Sequence, residues 1–147
     1  MKRVLGATLA AVVLAVTSGC VVASPDADTY EDAAASSLRT AASEVATVQM
    51  LLDLLDRDRV TTSAVVAQLR YSEKSLAKAA QGLTGLNPPP AEDGISTRAG
   101  DLFDRAETLI ENARIAVHRS DTARYTHIAR SLSALGKDLQ TLEGKVS

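Results

Sequence analysis

The 147-residue chain has few of the residues on which small enzymes and disulfide-stabilised domains depend. It contains one cysteine, two histidines and no tryptophan, and its only other aromatic residues are one phenylalanine and three tyrosines. A single cysteine excludes an intramolecular disulfide. The shortage of aromatic residues disfavours a β-sandwich, whose strands need alternating β-branched and aromatic side chains. Glycine and proline are both missing from residues 27–81, and alanine is abundant, which favours long helices.

The chain also lacks an excess of positive charge. Its formal net charge is −2, and the part after Cys20 has 14 basic and 18 acidic residues. Proteins that bind nucleic acids present a basic face to the phosphates, so no nucleic-acid partner is expected. The charge is nevertheless uneven. Residues 20–58 have eight acidic and two basic side chains, whereas residues 59–90 have one acidic and four basic ones.

The first nineteen residues have the layout of an export signal. Lys2 and Arg3 precede an uncharged, mostly apolar run over residues 4–16, and small polar residues follow. A helix of that run is about 20 Å long, which is shorter than the hydrocarbon core of a bilayer at about 30 Å. A cleaved signal sequence is therefore favoured over a permanent transmembrane anchor.

The end of this segment resembles the lipobox of bacterial lipoproteins. Ser18, Gly19 and Cys20 match its last three positions, and Thr17 stands where the family prefers leucine. The resemblance implies that residues 1–19 are removed, that Cys20 is lipidated, and that the chain is held on the outer side of the cytoplasmic membrane. A thioether-linked lipid also removes the only free thiol from an oxidising compartment. An ordinary secreted protein, cleaved elsewhere, is the alternative.

Residues 20–28 have neither a helical nor a strand period and are interpreted as the lipidated cysteine and a short tether. From residue 29 to 147, apolar residues recur at spacings of three and four, which is the pattern of helices with one buried face. Asp28 and Glu31 have capping-box spacing, so we expect the first helix to start there. One unbroken helix over residues 29–86 competes with two helices. We prefer a turn near 57–61, because Arg59 would otherwise fall on the buried stripe.

Three consecutive prolines at 88–90 end the second helix, although Pro90 can occupy the first turn of the third. The polar residues 118–121 separate the third helix from the fourth. Short connections make neighbouring helices antiparallel, so the sequence predicts an all-α, up-down four-helix bundle. The predicted buried stripes are Leu38, Ala41, Val45, Val48, Leu52 and Leu55; Val65, Leu69, Ser72, Leu76, Ala79, Leu83 and Leu86; Ile95, Ala99, Leu102, Ala106, Leu109, Ala113 and Ala116; and Tyr125, Ile128, Leu132, Leu135, Leu139, Leu142 and Val146.

No arrangement of residues predicts catalysis, a cofactor or a metal site. His118 and His127 could approach each other across the last turn, but both lie off the apolar stripes, and neither has the spacing of a metal-binding pair. An acidic row on the third helix is interleaved with arginines, as at Asp101 and Arg105, which is the pattern of ordinary helix-surface ion pairs. Ser72 is the one polar residue on a stripe, and we expect its hydroxyl to bond a carbonyl of its own helix. The acidic row consists of Asp101, Asp104, Glu107 and Glu111.

The leading hypothesis is a membrane-anchored lipoprotein whose bundle is not an enzyme but has a structural or protein-binding role, with another envelope protein as partner. A binding surface would contain apolar side chains left exposed beside the stripes, and the candidates are Tyr71, Phe103, Ile110 and Val117. The alternative is a carrier of a lipid or apolar small molecule, although alternating alanine and leucine leave little room for a cavity. Beyond the signal, the chain resembles small helical lipoproteins of high-GC bacteria.

Overall fold

The computed structural model describes residues 25–146, so residues 1–24, including Cys20 and most of the predicted tether, lie outside it. Within that range the chain forms four α-helices, one short 3-10 turn at Pro90–Glu92 and no strand. The predicted all-α fold is confirmed. The helices are α1 (Ala27–Asp56), α2 (Thr62–Thr84), α3 (Asp93–His118) and α4 (Thr122–Glu143).

The turn between α1 and α2 lies where the buried stripe is interrupted. α1 ends at Asp56 and a turn over residues 57–61 follows, so the alternative of one unbroken helix is wrong. Asp58 adopts a left-handed conformation with φ 53°, and the N–H of Arg59 donates to the carbonyl of Leu54 at 2.9 Å. This hydrogen bond satisfies a carbonyl that the end of the helix would otherwise leave unpaired.

The turn between α3 and α4 has the same backbone geometry. Ser120 has φ 54°, and the N–H of Asp121 donates to the carbonyl of Ala116 at 3.0 Å. The Asp121 carboxylate then accepts a hydrogen bond from the N–H of Arg124 at 3.1 Å and caps α4. Thr61 caps α2 in the same way. Two tight turns therefore reverse the chain and place α1 against α2 and α3 against α4.

The start of α1 differs from the prediction. The helix begins at Ala27, and its N-cap is Asp26, whose carboxylate accepts a hydrogen bond from the N–H of Thr29 at 2.8 Å. Asp28 already lies inside the first turn, so it does not form the predicted capping box with Glu31. The hydrogen bonds from Thr29 lower the pKa of Asp26. Because the folded-state pKa is lowered, the cap stabilises the helix above the ordinary pKa of 3.8 and is lost as the pH falls through the folded value.

The four helices form a square in which neighbours along the chain are also neighbours in space. α1 packs against α2 and α4, α3 packs against the same two helices, and α1 and α3 also meet across the middle. An ion pair joins Arg39, in the first half of α1, to Glu143, at the end of α4, and Asp53 near the end of α1 shares a cleft with Arg130 in the first half of α4, so these two helices are antiparallel. The N-terminal end of the bundle is accordingly formed by residues 25–32, 84–93 and 143–146.

The core contains the predicted stripes. Every predicted residue of the α4 stripe is buried, and the stripes of α1, α2 and α3 are buried over most of their length. The exceptions are Leu55, Ala79, Leu86, Ile95 and Leu109, which pack against the core but stay partly exposed. The largest fully buried side chains are Tyr30, Leu38, Val45, Val48, Leu52, Leu69, Leu76, Leu102, Ile110, Leu132, Leu135 and Leu139.

Gly100 and Gly136, inside α3 and α4, leave room for a side chain. A Cβ on Gly100 would have no neighbour within 4 Å, and one on Gly136 would lie 3.7 Å from Val45 Cγ1, which is ordinary contact. Glycine inside a helix costs roughly 0.5–1 kcal/mol relative to alanine. Gly100→Ala and Gly136→Ala should each raise the free energy of unfolding by about that amount in urea melts. Gly85→Ala is the control, because its Cβ would lie 3.0 Å from the Gln81 carbonyl oxygen and should give no gain.

Ser72 is fully buried, and its hydroxyl has no hydrogen-bond partner. The expected bond to its own helix is therefore wrong, although the exposed Thr40 and Thr47 hydroxyls do donate to carbonyls four residues earlier. A buried hydroxyl without a partner costs stability.

Ser72→Ala should therefore raise the free energy of unfolding by about 1 kcal/mol, from the lost desolvation cost and the higher helix propensity of alanine. Ser43→Ala, at an exposed position of α1, measures the propensity contribution alone. An equal gain in both variants would show that the Ser72 hydroxyl is not unpaired in solution.

Candidate functional site

The N-terminal end of the bundle is the end closest along the chain to the predicted lipidation site. α1 begins only seven residues after Cys20. This end is acidic: it contains Lys145 as its one basic residue against seven acidic ones, which are Asp26, Asp28, Glu31, Asp32, Glu92, Asp93 and Glu143. Across residues 25–146 no helix combines the length and the apolar character that spanning a bilayer requires.

The two histidines do not form a site with other ligands. His118 is the last residue of α3, His127 lies in the second turn of α4, and both are exposed. Among the described residues no group of three or more histidine, cysteine, aspartate or glutamate side chains could hold a metal ion.

The acidic row of α3 is exposed, but its arginines do not pair within the helix as predicted. Arg105 Nη1 lies 3.2 Å from Asp138 Oδ2 on α4, rather than against Asp101 four residues earlier. Arg114 Nε lies 2.7 Å from Glu73 Oε1 on α2. The hydrogen bond and the charge of Glu73 raise the pKa of Arg114 above its ordinary value. The arginines are long enough to reach the neighbouring helices, so they connect α3 to both of them.

The ion pairs between helices use the side chains whose charge is in the minority on their helix. Arg39, which pairs with Glu143, is the only basic residue of α1, and Glu73, which pairs with Arg114, is the only acidic residue of α2. None of the ion pairs described joins α1 to α2. The remaining charged side chains of α2 are exposed, and those of α1 are exposed or partly exposed.

Three of the four candidates for an exposed apolar surface are in the core. Phe103, Ile110 and Val117 are buried, which corrects the prediction that they extend beyond the packed stripe. The reason is that α3 packs against two neighbours and also meets α1, so its buried face is wider than one stripe. Tyr71 is the one candidate that is exposed as predicted, at 63%. Met50 on α1 is also exposed, at 55%.

Tyr71 and Met50 lie on one side of the bundle, the α1–α2 face. Ser75 and Lys78, which line a cleft opposite Thr40, lie four and seven residues after Tyr71, so they share its side of α2. Met50 lies near the end of the same side of α1, where most exposed and partly exposed residues are uncharged, with Asp32 and Glu44 as the acidic ones. We define the α1–α2 face as Thr40, Ser43, Thr47, Met50 and Leu54 of α1 together with Tyr71, Lys74 and Lys78 of α2. Arg70 lies at the far edge of this face, where it also lines a cleft between α2 and α3.

The basic residues of this face form a straight row. Arg70, Lys74 and Lys78 follow each other at intervals of four and span about 12 Å of the outward side of α2. All three are exposed, and none pairs with a carboxylate of the described residues. α2 is the most basic of the four helices, and Tyr71 lies beside this row. In the sequence, only the positive charge of residues 59–90 indicates this basic row.

Clefts between neighbouring helices are open to solvent. The largest of the five described, about 490 Å³, lies between the start of α2 and the end of α3 and is lined by Val66, Ala67, Arg70 and His118 among others. A smaller one of about 220 Å³ lies between α1 and α4, beside Asp53 and Arg130. These are surface grooves, and the interior between the helices is filled by the core side chains.

Comparison with protein-family models, with curated proteins and with solved structures finds no match for this chain.

Proposed function

We propose that this protein is a lipoprotein of a bacterial cell envelope, anchored to the membrane through a diacylglyceryl group on Cys20, with its helical bundle on the extracytoplasmic side. The observation that carries the proposal is the order of segments along the chain. A short positively charged segment, an apolar run too short to span a bilayer and small residues precede the single cysteine, and α1 begins seven residues later.

The bundle acts by presenting its helix faces rather than by catalysis. Its described histidines are exposed and apart from any group of metal-ligating side chains. Most of its acidic side chains are exposed or pair with arginines of neighbouring helices, and the one buried carboxylate, Glu92, lies in the short turn before α3 with no histidine or second carboxylate grouped with it. The packed interior favours this role over that of a carrier, because an apolar ligand needs a cavity that shields most of its surface from water. Another envelope protein or the membrane surface is the expected partner.

The mass of the mature chain tests the anchor. The full-length chain is expressed in a bacterial host, extracted from the membrane fraction with detergent and analysed by intact-mass and fragment mass spectrometry. We expect a chain that begins at Cys20 and that has a diacylglyceryl group on the sulfur. A mature chain that begins elsewhere, or a Cys20 with a free thiol, would show that the protein is an ordinary secreted bundle.

A further inference from the structure

We propose that the α1–α2 face of the bundle lies against an anionic phospholipid surface. The exposed residues of this face combine the basic row Arg70, Lys74 and Lys78 with Tyr71 and Met50. Basic side chains beside exposed aromatic and apolar ones are the composition of surfaces that bind at the lipid headgroup level. The inference rests on the proposed function, because a lipid on Cys20 keeps the bundle next to such a surface.

The distribution of charge selects this face over the others. α1 has six acidic residues and one basic residue, and α3 has five acidic and three basic ones. α4 has three basic and two acidic residues, and its exposed residues include no large apolar side chain. The N-terminal end has seven acidic residues against one basic. An anionic surface therefore repels the N-terminal end and attracts the outward side of α2.

The length of chain before α1 permits this orientation. Ala27 lies seven residues after Cys20, and this length of chain reaches at most about 25 Å when extended. Two packed helices have a combined width of about 20 Å. The bundle can therefore lie on its side with α2 against the headgroups while Cys20 remains at the membrane, and it cannot move far from the surface.

The absence of tryptophan from the whole chain provides a clean reporter. Tyr71→Trp places one fluorophore on the α1–α2 face, and Ala134→Trp places one at an exposed position of α4, the helix diagonally opposite α2. The chain from Cys20 to Ser147, which contains all four helices, is coupled through its single thiol to a maleimide lipid in preformed vesicles. This supplies the anchor chemically, so the result does not depend on whether cells lipidate Cys20.

Vesicles of brominated phosphatidylcholine, with or without phosphatidylglycerol, then report contact by quenching and by a blue shift of the emission. We expect both effects for Tyr71→Trp on vesicles that contain phosphatidylglycerol, with loss of both at high salt, where surface charges are screened. Ala134→Trp should be quenched little on either vesicle. Each basic residue near an anionic leaflet favours contact by roughly fivefold, so Lys74→Glu with Lys78→Glu should reduce the equilibrium constant for contact at least tenfold.

Arg130→Glu with Lys137→Glu on α4 is the matched charge-reversal control in the Tyr71→Trp background and should leave the quenching in place. Circular dichroism establishes that every variant remains helical. Three outcomes would overturn the proposal. They are equal quenching of the two reporters, equal quenching with and without phosphatidylglycerol, and unchanged quenching after charge reversal at Lys74 and Lys78. A Tyr71→Trp emission that stays solvent-exposed on every vesicle would also overturn it and would leave the face to a protein partner.

Discussion

Replacing Leu135 by alanine should lower the free energy of unfolding by about 2–5 kcal/mol. Leu135 is fully buried near the middle of α4, on the stripe whose predicted members are all buried. α4 packs against both α1 and α3, so truncating this side chain removes apolar contacts and leaves a space that two helices would have to close. Urea melts followed by circular dichroism measure the change.

Gln140→Ala on the same helix is the control for this measurement. Gln140 is exposed, and alanine is at least as good a helix former, so the change should stay within about 0.5 kcal/mol. Glu143 is a poorer control, because its carboxylate pairs with Arg39 at 2.9 Å and connects α4 to α1. Similar urea midpoints for Leu135→Ala and Gln140→Ala would mean that the buried face of α4 has been assigned incorrectly.

The helical period was enough to predict the fold class, the order of the helices and most of the core. Spacings of three and four identify buried stripes because side chains at those intervals share one side of a helix. The interrupted stripe at Arg59 correctly predicts the turn between α1 and α2. The same logic extends the first stripe back to Ala34 and Tyr30, which are both fully buried. That extension is hard to see in the sequence, because alanine occurs on every side of α1 there.

The width of the buried faces could not be predicted from one stripe per helix. In a square bundle each helix touches two neighbours, and the second contact buries Phe103, Ile110 and Val117 on α3. How far a buried face extends depends on how the helices are rotated against each other, and the spacing of apolar residues along one helix does not contain that rotation.

The ion-pair partners of charged side chains could not be predicted from the sequence either. Arg105 has an aspartate four residues before it, yet it pairs with Asp138, which is 33 residues away along the chain. Such pairs depend on which levels of two helices face each other. The N-cap of α1 is a similar case. Asp26 and Asp28 are both capping residues by type, and the geometry of the chain entering the helix makes Asp26 the cap.

Replacing Cys20 by serine should release the protein from membranes or leave it uncleaved, while the bundle still folds. In the proposed function the sulfur is the point of lipid attachment, and serine cannot form the thioether. The helices begin at Ala27, seven residues after Cys20, and the described core consists of residues between Tyr30 and Val146. One acyl chain gives only marginal, reversible membrane binding, and durable attachment requires the two chains of a diacylglyceryl group. Fractionation of cells that express the wild type or Cys20→Ser, with metabolic labelling by a fatty acid, measures the difference.

The membranes should be washed at high salt before the bound protein and its fatty-acid label are measured. The α1–α2 face attracts anionic lipid through exposed charges, and salt screens that attraction but leaves a covalently attached lipid in the bilayer. Wild type should therefore keep its label and stay with the membrane through the wash, whereas Cys20→Ser should take up no label and be removed if any of it was bound. A wild-type chain that takes up no fatty acid, or that washes off as the variant does, would contradict the lipoprotein proposal. Circular dichroism of the released variant should still show the helical bundle, because lipidation and folding involve separate parts of the chain.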